Sequence, residues 1–511
     1  MIYRSLVVYG VRYFTAPFII VRGYRMKLLA ICLTGHDHNV SYYDGTCYRF
    51  HKFERSKQIK RYRFSHIDTY EREIESLWNI SINTDIDEIA YTCMRPVDFI
   101  NVPATRVDHH LAHALSVNPL IDKTPDISFV IDGQGDGKTW SVIKGNNTIK
   151  YATIEHGSIG WGTRDAGMKV GIKYNDHLND RNDIAGKLMG LISYGSVDEG
   201  YLQILRRYGM YDMNEIFNYD NWVSYKKDVL VAELTKLDWA KTISDRTQEM
   251  IIDFFHEHAQ PDDVISYSGG VAQNVVWNTE LKKHFKNLYI APHSSDEGLS
   301  IGCMEWLRQK YDLPSFDMSS FPYIQTDVAP EDTPSDETIL FAATELSKGK
   351  IIAWYQGHGE MGPRALGNRS ILMDPRIPNG KEVINKIKNR ENYRPFGASV
   401  LEEHARNYFD IDWKDPYMLY VCRVKQNNMP AITHIDGTCR IQTVGDNNVH
   451  FRKLLKKFHE ITGCPVLLNT SLNIAGKPIA GYPDNALELL ANSSLDYAII
   501  GNGIHKKENC E

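Results

Sequence analysis

Ile127-Ser-Phe-Val-Ile-Asp-Gly-Gln-Gly-Asp-Gly137 reads as a buried strand that runs into a glycine-rich turn with Asp132 and Asp136 at its tip. A second strand, Thr139-Trp-Ser-Val-Ile143, a Gly-Asn-Asn turn and a third strand from Thr148 to Glu155 follow. Residues 27–50 repeat the plan. Strand Lys27-Leu-Leu-Ala-Ile-Cys-Leu33 enters the turn Thr34-Gly-His-Asp-His38, and strand Asn39-Val-Ser-Tyr-Tyr43 leads to Asp44-Gly45. Two glycine-tipped hairpins make a weak internal repeat, each opening one half of a domain. Tight glycine turns let backbone N–H groups approach an anion, which suits phosphate binding, although ordinary hairpins use them too.

Between the two copies stands Val107-Asp-His-His-Leu-Ala-His-Ala114. His109 and His113 are four apart, so on a helix both imidazoles share one face and suit two ligands of one metal ion. Downstream, Asp263-Val-Ile-Ser-Tyr-Ser-Gly-Gly-Val-Ala-Gln-Asn274 is a strand running into a Gly-Gly turn that opens a helix, an arrangement for a nucleotide phosphate or sugar. Strand Asn287-Leu-Tyr-Ile-Ala-Pro292 then delivers Asp296 in Ser294-Ser-Asp-Glu-Gly298. Two histidines with carboxylates from strand ends form a candidate site for a hard-to-borderline metal.

The 511 residues exceed what one core serves, so more than one domain is expected. A net charge of −6 gives no global attraction to nucleic acid or membrane. The eight cysteines show no CxxC pairing, which fits reduced thiols in a cytoplasmic protein. Residues 1–25 carry four arginines and no acid and read as an extension before the fold. No stretch reaches a transmembrane length. Residues 157–260 look mainly helical, with the glycine-punctuated Ala185–Gly195 at their centre. Residues 313–336, rich in proline, Asp and Ser, read as a linker between a unit at 26–312 and a second α/β unit at 337–511, with a helix at 337–348 and strands at 350–355 and 464–469.

Tyr48–Phe64 is basic and interleaved with aromatics, with seven Lys or Arg and one Glu. Such a run tracks a nucleic-acid backbone or forms a solvated face; Lys57, Lys60 and Arg61 are its candidate acceptor contacts. The second unit gathers arginines among glycine and proline: Gly359–Ser370, Lys388–Phe396 and Asp436–Val444, joined by Asn469-Thr-Ser-Leu-Asn473. Converging guanidinium forks would hold a polyanion such as ATP with a small phosphate ester.

His-His-Leu-Ala-His-Ala (109–114), Asp-Gly-Gln-Gly-Asp-Gly (132–137), Gly-Lys-Leu-Met-Gly-Leu (186–191), Ser-Gly-Gly-Val-Ala-Gln-Asn (268–274) and Ser-Asp-Glu-Gly (295–298) occur in that order. Gly-Pro-Arg-Ala-Leu-Gly-Asn-Arg-Ser (362–370), Arg-Pro-Phe (394–396), Arg-Ile-Gln-Thr-Val (440–444) and Leu-Asn-Thr-Ser (468–471) follow. With these motifs the chain resembles the O-carbamoyltransferases of the nodulation and antibiotic-tailoring type. The resemblance implies an actin-like (duplicated ribonuclease-H-like) transfer domain and a C-terminal α/β twisted-sheet domain that makes carbamoyl-adenylate. It implies ATP with Mg and carbamoyl phosphate as inputs, a hydroxyl acceptor, and a transfer-site divalent metal, iron ahead of zinc or manganese, on His109, His113, Asp132 and Asp296. It implies adenylate contacts at Gly269, Gly270 and Asn274, and carbamoyl phosphate and ATP contacts at Arg364, Lys388, Arg394, Arg440 and Asn469. His110 and His36 are the candidate general bases. The acceptor is a sugar or natural-product hydroxyl, or a 5-hydroxymethyl pyrimidine in DNA or as a nucleotide. The turn Gly35–Ser41 and Gly397 depart from the family pattern. A tRNA threonylcarbamoylation-type enzyme, an actin-like sugar kinase and a non-catalytic nucleotide-sensing module are the competing readings.

Overall fold

The computed structural model describes residues 25–93, 100–121, 123–174, 180–208, 213 and 234–507. The expected extension 1–25 lies outside them except for Arg25. The first half of the N-terminal unit holds β1 (Leu28–Leu33), β2 (Asn39–Tyr43), β3 (Tyr48–Lys52), β4 (Glu88–Cys93) and β5 (Ala104–Arg106) in the order β3-β2-β1-β4-β5. The second holds β6 (Ile127–Gly135), β7 (Lys138–Lys144), β8 (Asn147–Thr153), β9 (Ile265–Ser268) and β10 (Leu288–Ile290) in the order β8-β7-β6-β9-β10. In each half three antiparallel strands are followed by two parallel ones. The repeat legible in two hairpins is therefore a repeat of whole sheets, the duplicated arrangement of the actin-like fold.

Helix Leu299–Lys310 lies on the first sheet and helix His109–Val117 on the second, and the two helices pack against each other. β1 is buried at every position because it is covered on both faces, and its unbroken apolar run is the signature of that environment. Gly302 permits the helix contact. A Cβ there would come within 1.8 Å of the Ala112 carbonyl oxygen, so any side chain would force the helices apart.

The C-terminal unit is one mixed sheet: β11 (Ile352–Tyr355), β12 (Arg369–Met373), β13 (Gly397–Leu401), β14 (Val421–Arg423), β15 (Thr438–Val444), β16 (Val466–Ser471), β17 (Tyr497–Ile500) and β18 (Gly503–Lys506). Its order is β14-β15-β13-β16-β12-β11-β17-β18. Helices Asp336–Ser347 and Val449–Thr462 cover it, with Trp354 and Phe458 in the core.

Residues 313–335 have no helix or strand, yet they are packed. Phe321 and Gln325 are buried, and Gln325 bridges Phe50 on one side and Gly359 on the other. Residues 313–335 are thus a strap laid between β3 of the first sheet and the loop before β12.

The run at 48–64 differs from the exposed basic strip its composition suggests. It forms β3 and the short helix Phe53–Lys57, with Lys52 and Arg55 buried. All its cations but Arg63 are engaged by acids or carbonyls from elsewhere in the chain. Among the described residues no helix is long and apolar enough to cross a membrane.

Candidate functional site

Helix His109–Val117 begins at Asp108, whose carboxylate accepts from the backbone N–H groups of His110 and Leu111, each at 3.1 Å. That cap fixes the register that turns His109 and His113 to one side. Asp132 enters from the end of β6, and Asp296 from the turn preceding helix Leu299–Lys310. One ligand atom from each of the four lies within 4.8 Å of the others. His109 Nε2 is 3.6 Å from Asp132 Oδ2 and from Asp296 Oδ1; His113 Nε2 is 3.5 Å from Asp296 Oδ1. Both Nε2 atoms are buried and without a hydrogen-bond partner among the described residues. Buried polar atoms left open in this way, facing two carboxylates, are what a divalent cation would complete, so the residues fit a metal of mixed N/O preference. Burial opposes charge on His109, but Asp296 and Asp132 outweigh it and raise its pKa.

The three histidines of this helix are not equivalent. His110 is fully buried on the other face, with Nδ1 2.8 Å from Ser141 Oγ, and burial together with the neighbouring His109 holds it neutral at about 3. It does not line the cavity described below. His36 does line it, with Nδ1 2.7 Å from Asp37 Oδ2 and 4.0 Å from Asp296. Its burial is outweighed by Asp296 and Asp37, and it is held at about 9.

One cavity of about 1240 Å³ runs from this cluster into the C-terminal unit. Gly270 and Asn274 line it; Gly269 lies beneath the turn, at φ 92°, where a Cβ would meet the Ile131 carbonyl at 2.3 Å. Gly270 N–H donates to Asp132 at 2.8 Å, tying the glycine turn to the metal cluster. Asn274 caps helix Val275–His284 through the N–H groups of Val276 and Trp277.

At the far end the cavity is lined by Arg364, Lys388, Arg390, Arg394, Arg440 and Asn469. β13 stands between β15 and β16, and Gly397 pairs with Arg440 on one side and Asn469 on the other, so three strands present one edge. Asn469 Nδ2 donates to Ser399 Oγ at 2.8 Å, which donates to Gln442 at 2.7 Å. Lys388 Nζ donates to Ser471 and Asn473. Arg364 and Arg440 have no acid within 4.0 Å among the described residues. Burial, with Arg440 and Arg394 nearby, drives the Arg364 pKa far down, and burial with Arg390 and Arg394 does the same to Lys388. Confined like charges of this kind call for an anion.

Sequence reasoning missed Arg390, which is pressed on the Phe396 ring at 4.2 Å and lies inside the quoted Lys388–Phe396 cluster. It also missed Lys52, whose ammonium joins Glu297 (2.7 Å), Asp37 (3.2 Å) and Glu54 (3.2 Å). No local signal marks that set, because Glu297 comes from 245 residues away. Of the candidate acceptor contacts, Lys60 and Arg61 reach the cavity wall paired with Asp183. Lys57 lies outside the lining, paired with Glu73.

Comparison with known proteins adds to this geometry. The family model described as carbamoyltransferase N-terminus matches residues 70–304, and that described as carbamoyltransferase C-terminus matches 343–507. The chain is 29% identical to nodulation protein NolNO of Sinorhizobium fredii over 78% of this chain and 64% of that protein. It is 28% identical to nodulation protein NolO of Bradyrhizobium diazoefficiens over 78% of this chain and 79% of that protein. It is 33% identical to a 3'-hydroxymethylcephem-O-carbamoyltransferase of Streptomyces clavuligerus over 58% of this chain and 59% of that protein. The match thus spans less than two thirds of NolNO and of the cephem protein.

Proposed function

Because the chain belongs to the carbamoyltransferase family, we propose that it is an ATP-dependent O-carbamoyltransferase working through carbamoyl-adenylate. The observation that carries this reading is the cavity joining a four-residue metal-type cluster to an arginine cluster in which Arg364 and Arg440 have no acid within 4.0 Å among the described residues.

Carbamoyl compounds are reluctant electrophiles because nitrogen donates into the carbonyl, so activation by a good leaving group is required. At the C-terminal end one water cleaves carbamoyl phosphate to phosphate and carbamate, and the carbamate oxygen attacks the α-phosphorus of ATP to give carbamoyl-adenylate, with pyrophosphate as the leaving group. Arg364, Lys388, Arg390, Arg394 and Arg440 neutralise the phosphate charge that develops. The adenylate reaches the other end within the same cavity, away from bulk water that would hydrolyse it. There Gly270 and Asn274 face it; the acceptor oxygen attacks the carbamoyl carbon, AMP departs, and the hydroxyl proton is taken up at His36 Nε2, the ring nitrogen left over from the Asp37 contact. A divalent ion held by His109, His113, Asp132 and Asp296, iron by the family resemblance, would supply Lewis acidity and offset the carboxylate field around His36. The acceptor is a hydroxyl of a sugar, of another small natural product or of a 5-hydroxymethyl pyrimidine, approaching past Lys60 and Arg61.

The test is pyrophosphate release from ATP. It should require carbamoyl phosphate, survive in His113→Ala and fall at least about a hundredfold in Arg394→Ala. Release that ignores carbamoyl phosphate would overturn the reading.

A further inference from the structure

Arg55 is left unexplained by the reaction. It belongs to the N-terminal unit and is 2% exposed, yet no carboxylate pairs with it within 4.0 Å among the described residues. Its Nη2 donates instead to two carbonyls of the C-terminal unit, Glu360 O at 3.1 Å and Gly362 O at 3.2 Å. Those carbonyls lie on the loop between β11 and β12, which carries Arg364. Nε and Nη1 are buried without a hydrogen-bond partner among the described residues. A guanidinium is held here despite the cost of burying it half-satisfied, which points to a role other than stability.

Beyond Arg364 the loop is held within the C-terminal unit: Asn469 Nδ2 donates to the Ala365 carbonyl at 3.2 Å and Leu366 N–H donates to Glu360 Oε1 at 2.6 Å, so Arg55 secures the side before Arg364. Gly359 N–H donates to Asp327 at 2.9 Å, and Asp327 also accepts from Arg369 at 2.9 Å. Met361 N–H donates to the Pro322 carbonyl at 2.7 Å. On its far side the loop is wedged against the N-terminal unit. Gly362 has φ 89°, and a Cβ there would approach the Pro292 carbonyl oxygen to 2.4 Å. Pro292 precedes the turn that carries Asp296, so the Arg364 loop is gripped between Arg55 and the chain leading to the metal-type cluster. Three residues before Arg55, Lys52 holds Asp37 and Glu297 beside His36 and Asp296. The stretch from Lys52 to Arg55 therefore touches the supports of both ends of the cavity.

We propose that Arg55 is a positioning residue that completes the anion pocket of the C-terminal unit from the N-terminal unit, setting the loop that aims Arg364. This rests on the reading of the Arg364 end as the place where phosphates are bound. With Arg55 shortened, two buried carbonyls lose their donor, the loop relaxes away from Pro292, and Arg364 leaves the converging set.

The experiment uses the full chain and pyrophosphate as probe, with binding measured by titration calorimetry, alongside carbamoyl-phosphate-dependent pyrophosphate release and metal content. Arg55→Ala should weaken pyrophosphate binding about tenfold or more and raise KM for carbamoyl phosphate, with metal content unchanged. Arg55→Lys, which keeps the charge but offers one donor nitrogen in place of a fork, should recover part of the affinity. Unchanged pyrophosphate affinity in Arg55→Ala, or in Arg55→Lys if only that variant folds, would overturn the proposal. Loss of metal and pyrophosphate binding together would also overturn it, by showing general disruption. A wild-type chain that fails to bind pyrophosphate overturns it too. A wild-type chain that binds pyrophosphate but releases none from ATP refutes the proposed function alone, and the affinity ratio still judges Arg55.

Discussion

Arg364→Met is expected to stabilise the protein and disable it at once. Arg364 sits in the cavity with Arg440, Arg394 and Arg390 as its charged neighbours, and Glu297 is the acid whose field reaches it. Arg364 is half-buried with no acid within 4.0 Å among the described residues, so an apolar side chain of similar length should stabilise by about 1 kcal/mol, the low end of the range for replacing buried charges. The C-terminal unit has the size at which 1 kcal/mol moves Tm by about 2–4 °C, so its unfolding transition should rise by about that much without ligand. The same substitution removes charge-assisted hydrogen bonds to phosphate worth about 1.5–3 kcal/mol, or roughly 10- to 200-fold in pyrophosphate affinity. Calorimetry with and without pyrophosphate reads both effects: the wild type gains stability on adding it, and the variant starts higher and gains little. A variant that melts lower without ligand, or binds pyrophosphate as well as the wild type, would refute the argument that these arginines are held apart for an anion.

Other expectations follow from particular contacts. His113→Ala should lose bound divalent metal, measured by plasma mass spectrometry, and lose transfer while keeping pyrophosphate release. His38 and His51 are each pushed from 6.5 to about 4 by burial, so both are neutral in the fold and must charge on unfolding. Their contribution is intact above pH 6.5 and is lost as pH falls towards 4, by at most about 3 kcal/mol each, which denaturant midpoints between pH 7 and 4 would show. Asp415, raised to about 7 by burial, acts in the opposite sense, losing stability as pH rises towards 7. Asp415→Asn should therefore steepen the acid loss in the same titration. Lys57→Ala should leave turnover unchanged and cost under about 1 kcal/mol, as for a surface ion pair, whereas Arg61→Ala should raise the acceptor's KM in steady-state assays.

The sheets were legible where the chain carries its own punctuation. The hairpins at 27–43 and 127–153 announced themselves by apolar runs ending in glycine, and the Gly-Gly turn before Val275 by its position between strand and helix. The metal-type cluster was legible in part, because spacing alone puts His109 and His113 on one face. Spacing cannot say which way His110 looks; that depends on Ser141, a residue on a neighbouring strand. The basic run at 48–64 misled for the same reason. A lysine destined for solvent and one destined for a buried carboxylate look alike in sequence, and Lys52 finds Glu297 only through the fold. Arg390 was passed over because composition does not rank neighbouring arginines; stacking on Phe396 does.

The most direct test of the account is mass spectrometry of the full chain incubated with ATP, carbamoyl phosphate, divalent metal and a pool of hydroxyl acceptors. The pool should hold an aminoglycoside, a chitin oligomer, and hydroxymethylcytosine as nucleotide and as DNA. One acceptor should gain about 43 Da, the mass of a carbamoyl group in place of hydrogen, with the gain absent in His113→Ala and in Arg364→Met. A gain of about 80 Da, the mass of a phosphoryl group, with no need for carbamoyl phosphate would contradict the account and make this cavity a kinase site.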